Sequence, residues 1–337
     1  MRVGLANHSF ISTNPNGQEN GYLKEIRELD MDLGDTSDFE LSINSESWDA
    51  EKFSYGCRIF IPDTEYGGII DDIESNTSKK RIIIRGKTWR GMLMYKIVEP
   101  PEGQDHLILN GELNQVLGDL VGDRFDGLFF VAKTDTGITV KNWEVSRYVT
   151  LLDAVTELLS AYKSRLQIQY IEPENLDYGY VEESAVPIRD YSDEIEYSGE
   201  GEVKVTVRDC RGGVNHLVCI GEGENMERTV VHLYVQKDGT IGKIPYYDGK
   251  DEISSVYNYT NADAETLEEY GMKRLESLQN YKTCSITVND ADLDIGDFVS
   301  GYDAVTDTTV KKPVIQKILK VKSSGTSTVE YKIEGDD

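Results

Sequence analysis

Phe39-Glu40-Leu41-Ser42-Ile43 alternates apolar and polar side chains with period two, the pattern of a strand with one buried face. Working outward, Cys57-Arg58-Ile59-Phe60-Ile61, Gly68-Ile69-Ile70-Asp71-Asp72-Ile73 and Arg81-Ile82-Ile83-Ile84 have the same character, separated by Asp, Gly, Ser and Asn turn residues. Short strands this closely spaced, with no helix between them, predict a small antiparallel barrel or sandwich over residues 25–86. The far end reads alike, with strands expected at Cys284-Ser285-Ile286-Thr287-Val288, at residues 314–321 and at residues 328–333.

The two ends can be laid on one another. Phe39-Glu40-Leu41-Ser42-Ile43-Asn44 matches Cys284-Ser285-Ile286-Thr287-Val288-Asn289, and a glycine turn follows each, at Tyr55-Gly56 and at Ile295-Gly296-Asp297. Gly68-Ile69-Ile70-Asp71-Asp72-Ile73 then falls on Pro313-Val314-Ile315-Gln316-Lys317-Ile318, and Ile82-Ile83-Ile84-Arg85-Gly86 on Val329-Glu330-Tyr331-Lys332-Ile333-Glu334-Gly335. Any two antiparallel segments joined by glycine turns align about as well on pattern, so chance similarity stays open at this level. A true repeat has a geometric consequence. Three chains would present six similar units, and a closed ring needs one heterologous interface repeated around its axis.

Between the ends, Pro100-Pro101 breaks the strand pattern. Leu113, Val116, Leu117, Leu120 and Val121 share one helical face. Thr150 with Asp153 forms a capping pair for a second helix, whose stripe is Leu151, Leu152, Val155, Leu158, Leu159 and Tyr162. A strand over residues 166–171 follows. Residues 172–202, acidic and tyrosine-rich with Pro173 and Pro187, read as a connection or exposed arm. Strands are expected at 203–207, 216–220 and 229–235, and a third helix over Ala264–Leu278 with Leu267, Leu275 and Leu278 inward. The fold class is therefore mainly β with α+β insertions: two small antiparallel β-barrel-like domains forming a pseudo-repeat, plus a mixed α/β middle region. The expected division is 1–100, 101–185, 186–280 and 281–337, with strands from 203–235 available to complete the last segment.

The 337 residues suit two or three domains, and 39% hydrophobic content is enough for packed cores. No stretch approaches the roughly 20 apolar residues of a membrane-spanning helix, and the polar first 18 residues argue against a secretory signal. With 61 acidic against 35 basic residues the net charge is −26, which disfavours nucleic-acid binding and anionic membrane. It suits a soluble acidic protein, or a surface along which DNA slides without sticking. Cys57, Cys210, Cys219 and Cys284 form no C-x-x-C pair, and the four histidines are too scattered for zinc spacing. Cys57, Cys219 and Cys284 sit among strand residues as expected buried free thiols.

The chemical candidates each meet a simpler reading. Asn289-Asp290-Ala291-Asp292-Leu293-Asp294 suggests a calcium loop, yet counted from Asp290 the sixth position is Ile295 and the twelfth Gly301, where an EF-hand needs glycine and glutamate. Gly221-Glu222-Gly223-Glu224 lacks the third glycine and the Lys-Ser/Thr ending of a phosphate loop. Asp71/Asp72 and Glu182/Glu183 are adjacent on strands, so each pair is expected to point to opposite faces and not to flank one glycosidic bond. The 20 tyrosines, clustered at Tyr178/Tyr180, Tyr191/Tyr197 and Tyr246/Tyr247, modestly favour an interaction protein. No catalytic, cofactor-binding or metal-ligating residue is assigned, and no cofactor is expected: the chain reads as a non-enzyme.

Three stretches carry a family resemblance. They are Tyr66-Gly67-Gly68-Ile69-Ile70-Asp71-Asp72-Ile73 with Ile84-Arg85-Gly86-Lys87 and Gly91-Met92-Leu93; Val218-Cys219-Ile220-Gly221-Glu222-Gly223-Glu224 with Arg228; and Leu293-Asp294-Ile295-Gly296-Asp297-Phe298-Val299. In this order, from about Leu29 onward, the chain resembles the tail-hub or baseplate-hub proteins of phages and phage-like particles of Gram-positive bacteria, related to the trimeric hub of contractile tails and injection systems. The resemblance implies a homotrimer with two barrel domains around a channel for DNA or the tape measure protein. It also implies contacts to tail-tube or distal tail proteins above and to a spike or tip protein below, and a place in the virion tail after assembly in the host cytoplasm. No specific nucleic-acid binding, no membrane insertion and no fused peptidase or lysin domain are expected. The rival reading is a carbohydrate- or cell-wall-binding, or hydrolytic, tail module; a secreted adhesin is disfavoured by the missing signal.

Overall fold

The computed structural model describes residues 10–173, 178–192, 203–288, 293–303 and 308–333, the side chains of 203–209, 281–288, 301–303 and 308–310 excepted. Contacts divide the chain into one unit of Met1–Val205 with Ser285–Glu334 and another centred on Thr206–Cys284. This division is coarser than the four segments expected from sequence, and it joins the first of them to the last.

The larger unit begins with β1 (Ile11–Thr13), β2 (Glu19–Tyr22), β3 (Glu28–Leu33), β4 (Asp38–Asn44), the short helix α1 (Ala50–Phe53), β5 (Arg58–Phe60), β6 (Gly67–Asn76) and β7 (Arg81–Thr88). Phe39, Leu41 and Ile43 are all buried as the alternation predicts, although Ser42 between the last two is buried as well. Phe10 and Ile11, in the polar-looking leader, extend the sheet through β1 and are buried too.

The mixed region follows with α2 (Trp89–Leu93), β8 (Ile97–Val98), β9 (Leu107–Glu112), α3 (Leu113–Val121), β10 (Phe129–Val131), β11 (Thr139–Val145), β12 (Val149–Thr150), α4 (Leu151–Ala161), β13 (Ser164–Ile171) and β14 (Tyr180–Pro187). Thr150 caps α4 as expected: its Oγ1 accepts from Asp153 N at 3.1 Å and donates to the Asp153 carboxylate at 2.7 Å. Leu151, Val155, Leu158 and Leu159 of α4 pack with Val116, Leu117 and Leu120 of α3 in one core. Full burial of each such side chain contributes about 1.5–3 kcal/mol.

One expectation is corrected here. Within the stretch read as an exposed arm, residues 180–187 form β14, antiparallel to β13 and parallel to β10. Its buried positions are Val181, Glu183 and Ala185. A glutamate at the middle inward position hid the period-two pattern.

The smaller unit holds β16 (His216–Ile220), β17 (Val230–Val235), β18 (Ile241–Gly242), β19 (Ser254–Asn258) and α5 (Ala264–Leu278), preceded by β15 (Val203–Cys210) and followed by β20 (Tyr281–Val288). Its sheet runs β18-β17-β16-β19, and Leu267 and Leu275 of α5 are buried on it with Leu217, Cys219 and Leu233. Gly271 faces the Cys219 Sγ, where an added Cβ would stand 2.6 Å away. β15 pairs with β20, whereas β16 and β17 belong to this separate sheet.

The chain ends with β21 (Phe298–Asp303), β22 (Thr308–Val321) and β23 (Ser327–Ile333). These strands return to the first sheet, whose order is β2-β1-β5-β6-β7-β4-β3-β22-β21, with β23 on β22. Leu319 and Val321 accordingly share a core with Leu29, Met31, Leu41 and Ile84.

The repeat read from the two ends is present in β5-β6-β7 against β21-β22-β23, whereas β4 pairs with β7 and its sequence counterpart β20 pairs with β15. β5 pairs β6 with Arg58↔Ile69 and Ile59↔Gly68; β21 pairs β22 with Phe298↔Pro313 and Val299↔Lys312. β6 carries a bulge against β7 between Ile70 and Asp72, and β22 carries one against β23 between Val314 and Gln316. The residues on either side of each bulge pair correspondingly, Ile70↔Gly86 and Asp72↔Arg85 against Val314↔Ile333 and Gln316↔Lys332. Even the entering turn recurs. Gly56 N donates to Ile70 O and Ile70 N to Cys57 O, while Gly296 N donates to Val314 O and Val314 N to Asp297 O. Both turn glycines have positive φ, +81° and +97°, which explains their presence. The match places Gly68 on Lys312, one residue from the sequence alignment, and Ile82 on Val329 as aligned.

Candidate assembly surfaces

The two copies meet in a seam. β22 pairs antiparallel with β3 through Lys317↔Leu33, Ile318↔Asp32, Leu319↔Met31, Lys320↔Asp30 and Val321↔Leu29. Apolar members of these pairs, Leu319 with Met31 and Val321 with Leu29, are buried. The other face carries charge. Lys320 stands opposite Asp30 and donates to Glu330 at 2.7 Å, and the Gln316 amide donates to Asp32. An acidic strand thus meets a basic one, which helps fix the register.

Behind the seam a buried ionic bracket ties β13 to the second copy. Arg165 Nε donates to Asp297 Oδ1 at 2.8 Å and its Nη2 to Asp294 Oδ2 at 2.9 Å. Lys317 Nζ reaches Asp294 Oδ1 at 3.2 Å, and Arg189 N donates to Asp297 Oδ1 at 3.0 Å. The Arg165 side chain is 5% exposed and that of Asp297 0%. Burial alone would raise the Asp294 carboxyl, but Lys317 and Arg165 outweigh it and hold it below the usual range. Two cations face two carboxylates, so the charge closes internally and serves to fix structure.

Glu183 is the outlier. It is fully buried, neither carboxylate oxygen has a hydrogen-bond partner, and burial pushes it up to about 8, against a partial offset from Arg90. Arg90 itself is taken by Glu65, 2.7 Å from its Nε. Perturbed carboxyls mark candidate catalytic groups, yet Glu183 lines neither described groove. The larger groove, about 680 Å³, lies between α3 and β10 and includes Glu112, Asn114, Phe130 and Lys133.

The second groove, about 370 Å³, lies on the first copy and is lined by Asp38, Glu40, Asp71, Asp72, Arg85 and Lys87. The expectation that Asp71 and Asp72 face opposite ways fails here. The bulge interrupts the alternation, and both are exposed on this one surface. Arg85 is the counter-ion of Asp72, and Lys87 is the cation that acts on Asp71. The Arg85 Nε donates to Glu40 at 2.7 Å, Nη1 to Asp72 at 3.4 Å and Nη2 to Glu74 at 3.0 Å. The Glu40 contact first, then Glu74, raises its already high pKa. Glu182 and Glu183 do separate as expected, the former partly exposed and the latter buried.

In the smaller unit, strand pairing brings together histidines that looked scattered. His216 Nε2 lies 2.9 Å from His232 Nδ1, while His216 Nδ1 lies 2.6 Å from Glu252 Oε1 and 3.1 Å from Ser254 Oγ. A nucleophilic triad needs serine and carboxylate on opposite ring nitrogens; here both share Nδ1. The signal in sequence was period two, His232 and Tyr234 on one strand facing His216 on its neighbour. Residues 221–224 form a turn as expected. Gly221 N donates to Thr229 O and Glu222 N to Ala262 O, which leaves those amides unavailable to phosphate. Cys57 and Cys219 are buried free thiols, with Cys210 half-buried; the Cys284 side chain lies outside the described residues. Residues 289–292 of the calcium candidate also lie outside, and Asp294 is committed to the bracket. Tyr246 and Tyr247 meet edge to face at 5.0 Å, and exposed Tyr178 stands apart from Tyr180, which packs on Phe130; Tyr197 is outside the described residues.

No family model matches the sequence, and a search among curated proteins finds no match. Solved structures do match. The 43 kDa tail protein of prophage MuSo2 from Shewanella oneidensis aligns with a TM-score of 0.51 at 12% identity, over 96% of this chain and 97% of that one. Prophage tail protein gp18 from Listeria monocytogenes EGD-e aligns at 0.48 and 11% identity over 97% and 94%. A chain of the phage P2 baseplate in its activated conformation aligns at 0.47 and 10% over 97% and 99%. At such identities the likeness is one of fold, and the MuSo2 alignment states it: over nearly its whole length this chain has the fold of a prophage tail protein.

Proposed function

We propose that the chain is a structural subunit of a tail or baseplate hub. It assembles as a homotrimer whose six β-modules form a ring, joining tail-tube or distal tail proteins to a spike or tip and letting DNA or the tape measure protein through. The observation that carries this reading is the repetition of β5-β6-β7 in β21-β22-β23 with the same bulge, register and entering turn. Two equivalent modules in one chain let a three-fold assembly offer six-fold neighbours equivalent contacts. The tail-protein fold supports the reading. So does the charge of −26, because carboxylates around a channel repel the DNA backbone. The role is structural rather than catalytic, and its place is the virion tail.

Light scattering of the purified chain over rising concentration tests the proposal. The expected mass is three times 37.9 kDa. A constant 37.9 kDa at every concentration, together with absence of the chain from purified tail particles, overturns it.

A further inference from the structure

The repeat makes one edge conspicuous. β22 has β23 along one flank, and on the other flank it passes from β21 to β3, which covers residues 317–321. β6 is its counterpart, with β7 along one flank and β5 on the other only as far as Ile70. Beyond that point no strand among the described residues pairs with β6 on that flank. By the register of the repeat, the stretch equivalent to 317–321 is 73–77, of which β6 holds 73–76. Its outward N–H and C=O groups are the ones that β3 satisfies in the other copy, and an open strand edge is a template for a further strand.

The missing strand has a counterpart as well. β3 pairs with β4 in the first copy. The sequence match of β4 with β20 puts β15, the partner of β20, in the place of β3, and among the described residues β20 is the one neighbour of β15. Charge agrees. At the intrachain seam acidic β3, with Glu28, Asp30 and Asp32, meets Lys320, which stands opposite Asp30. The open half of β6 bears Asp71, Asp72 and Glu74, and the sequence of β15 bears Lys204 and Arg208, the same complementarity with signs exchanged.

We infer that residues 73–76 of β6 take up strand β15 of a second copy of this chain in antiparallel pairing, so that the seam inside each chain is repeated between chains. This deepens, and rests on, the ring reading above. Three intrachain and three interchain seams then alternate around the axis.

Disulfide trapping in the full chain tests it. Exposed Glu74→Cys or Ser75→Cys is combined in turn with Val205→Cys, Thr206→Cys, Val207→Cys and Arg208→Cys. Directly opposed residues on paired strands fall within disulfide reach. In at least one register, mild oxidation should move most of the chain into bands of two and three copies that collapse on reduction, while the same β6 cysteines combined with exposed Lys141→Cys give none. A trimer by light scattering without any β6–β15 cross-link overturns the edge pairing and leaves the ring. A monomer by light scattering overturns both. A cross-link confined to single chains also overturns the pairing.

Discussion

The strand triplets β5-β6-β7 and β21-β22-β23 have the same backbone and different chemistry. Each enters through a positive-φ glycine, each bulges at the same point of its long strand, and each pairs its three strands in the same register. Yet where the first copy has buried Cys57, the second has buried Asp297, locked to Arg165. Where the first has Ser54, the second has Asp294, and where the first has half-buried Ile73, the second has Lys317. The first copy keeps its long strand open beyond Ile70, and the second has β3 on it. Register and turn geometry outlast side-chain identity, because the ladder and the glycine turn are backbone requirements while the buried positions need only internal compensation.

Breaking the bracket should separate the copies most sharply. Arg165→Ala leaves Asp297 buried without its cation, held only by backbone N–H groups, and a loss of about 3–5 kcal/mol is expected in denaturant unfolding. Cys57→Ala, at the equivalent position, removes one sulfur from an apolar site and should cost about 1–2 kcal/mol. Equal losses would show that the ionic bracket contributes nothing specific.

Glu183 gives a pH signature. Its carboxyl is raised from 4.5 to about 8, so the folded state holds the proton more tightly than the unfolded chain. The contribution of Glu183 to stability is therefore fully present below pH 4.5 and is lost as pH rises towards about 8. Glu183→Gln should raise stability at pH 7 on the order of 2 kcal/mol and flatten that slope. Urea midpoints at pH 5, 7 and 8.5 measure both effects.

The turn glycines sharpen the comparison further. Gly56→Ala and Gly296→Ala each place a side chain at positive φ, costing about 1 kcal/mol. Gly296→Ala should cost more, because its Cβ would sit 2.9 Å from the Arg165 Cβ, against 3.1 Å from the Pro15 Cγ for Gly56→Ala. Thermal melts of the two variants rank them. Smallest is Arg85→Ala on the open surface. Its three partners are solvent-exposed, so less than about 1 kcal/mol is expected, and this shrinks further in 1 M salt.

Much of this fold was legible in the sequence because period and turn chemistry report the backbone. Phe39, Leu41 and Ile43, the Thr150–Asp153 cap and the helix Ala264–Leu278 all stand where the pattern put them. The repeat was legible to within one residue through its glycines. What failed did so where a local rule met a tertiary exception. Glu183 broke the alternation of β14, and a bulge turned Asp71 and Asp72 to one surface. The bracket was illegible because Arg165 and Asp297 lie 132 residues apart and no local spacing marks the pair. The His216–His232–Glu252 cluster was hidden for the same reason, since it depends on which strands become neighbours.

The decisive measurement is a three-dimensional reconstruction of the assembled protein around its symmetry axis. The account predicts a closed ring of six β-modules, two from each of three chains, with β5-β6-β7 and β21-β22-β23 alternating at one radius. A ring containing one module per chain, or the two triplets at different radii with no closure, would contradict it.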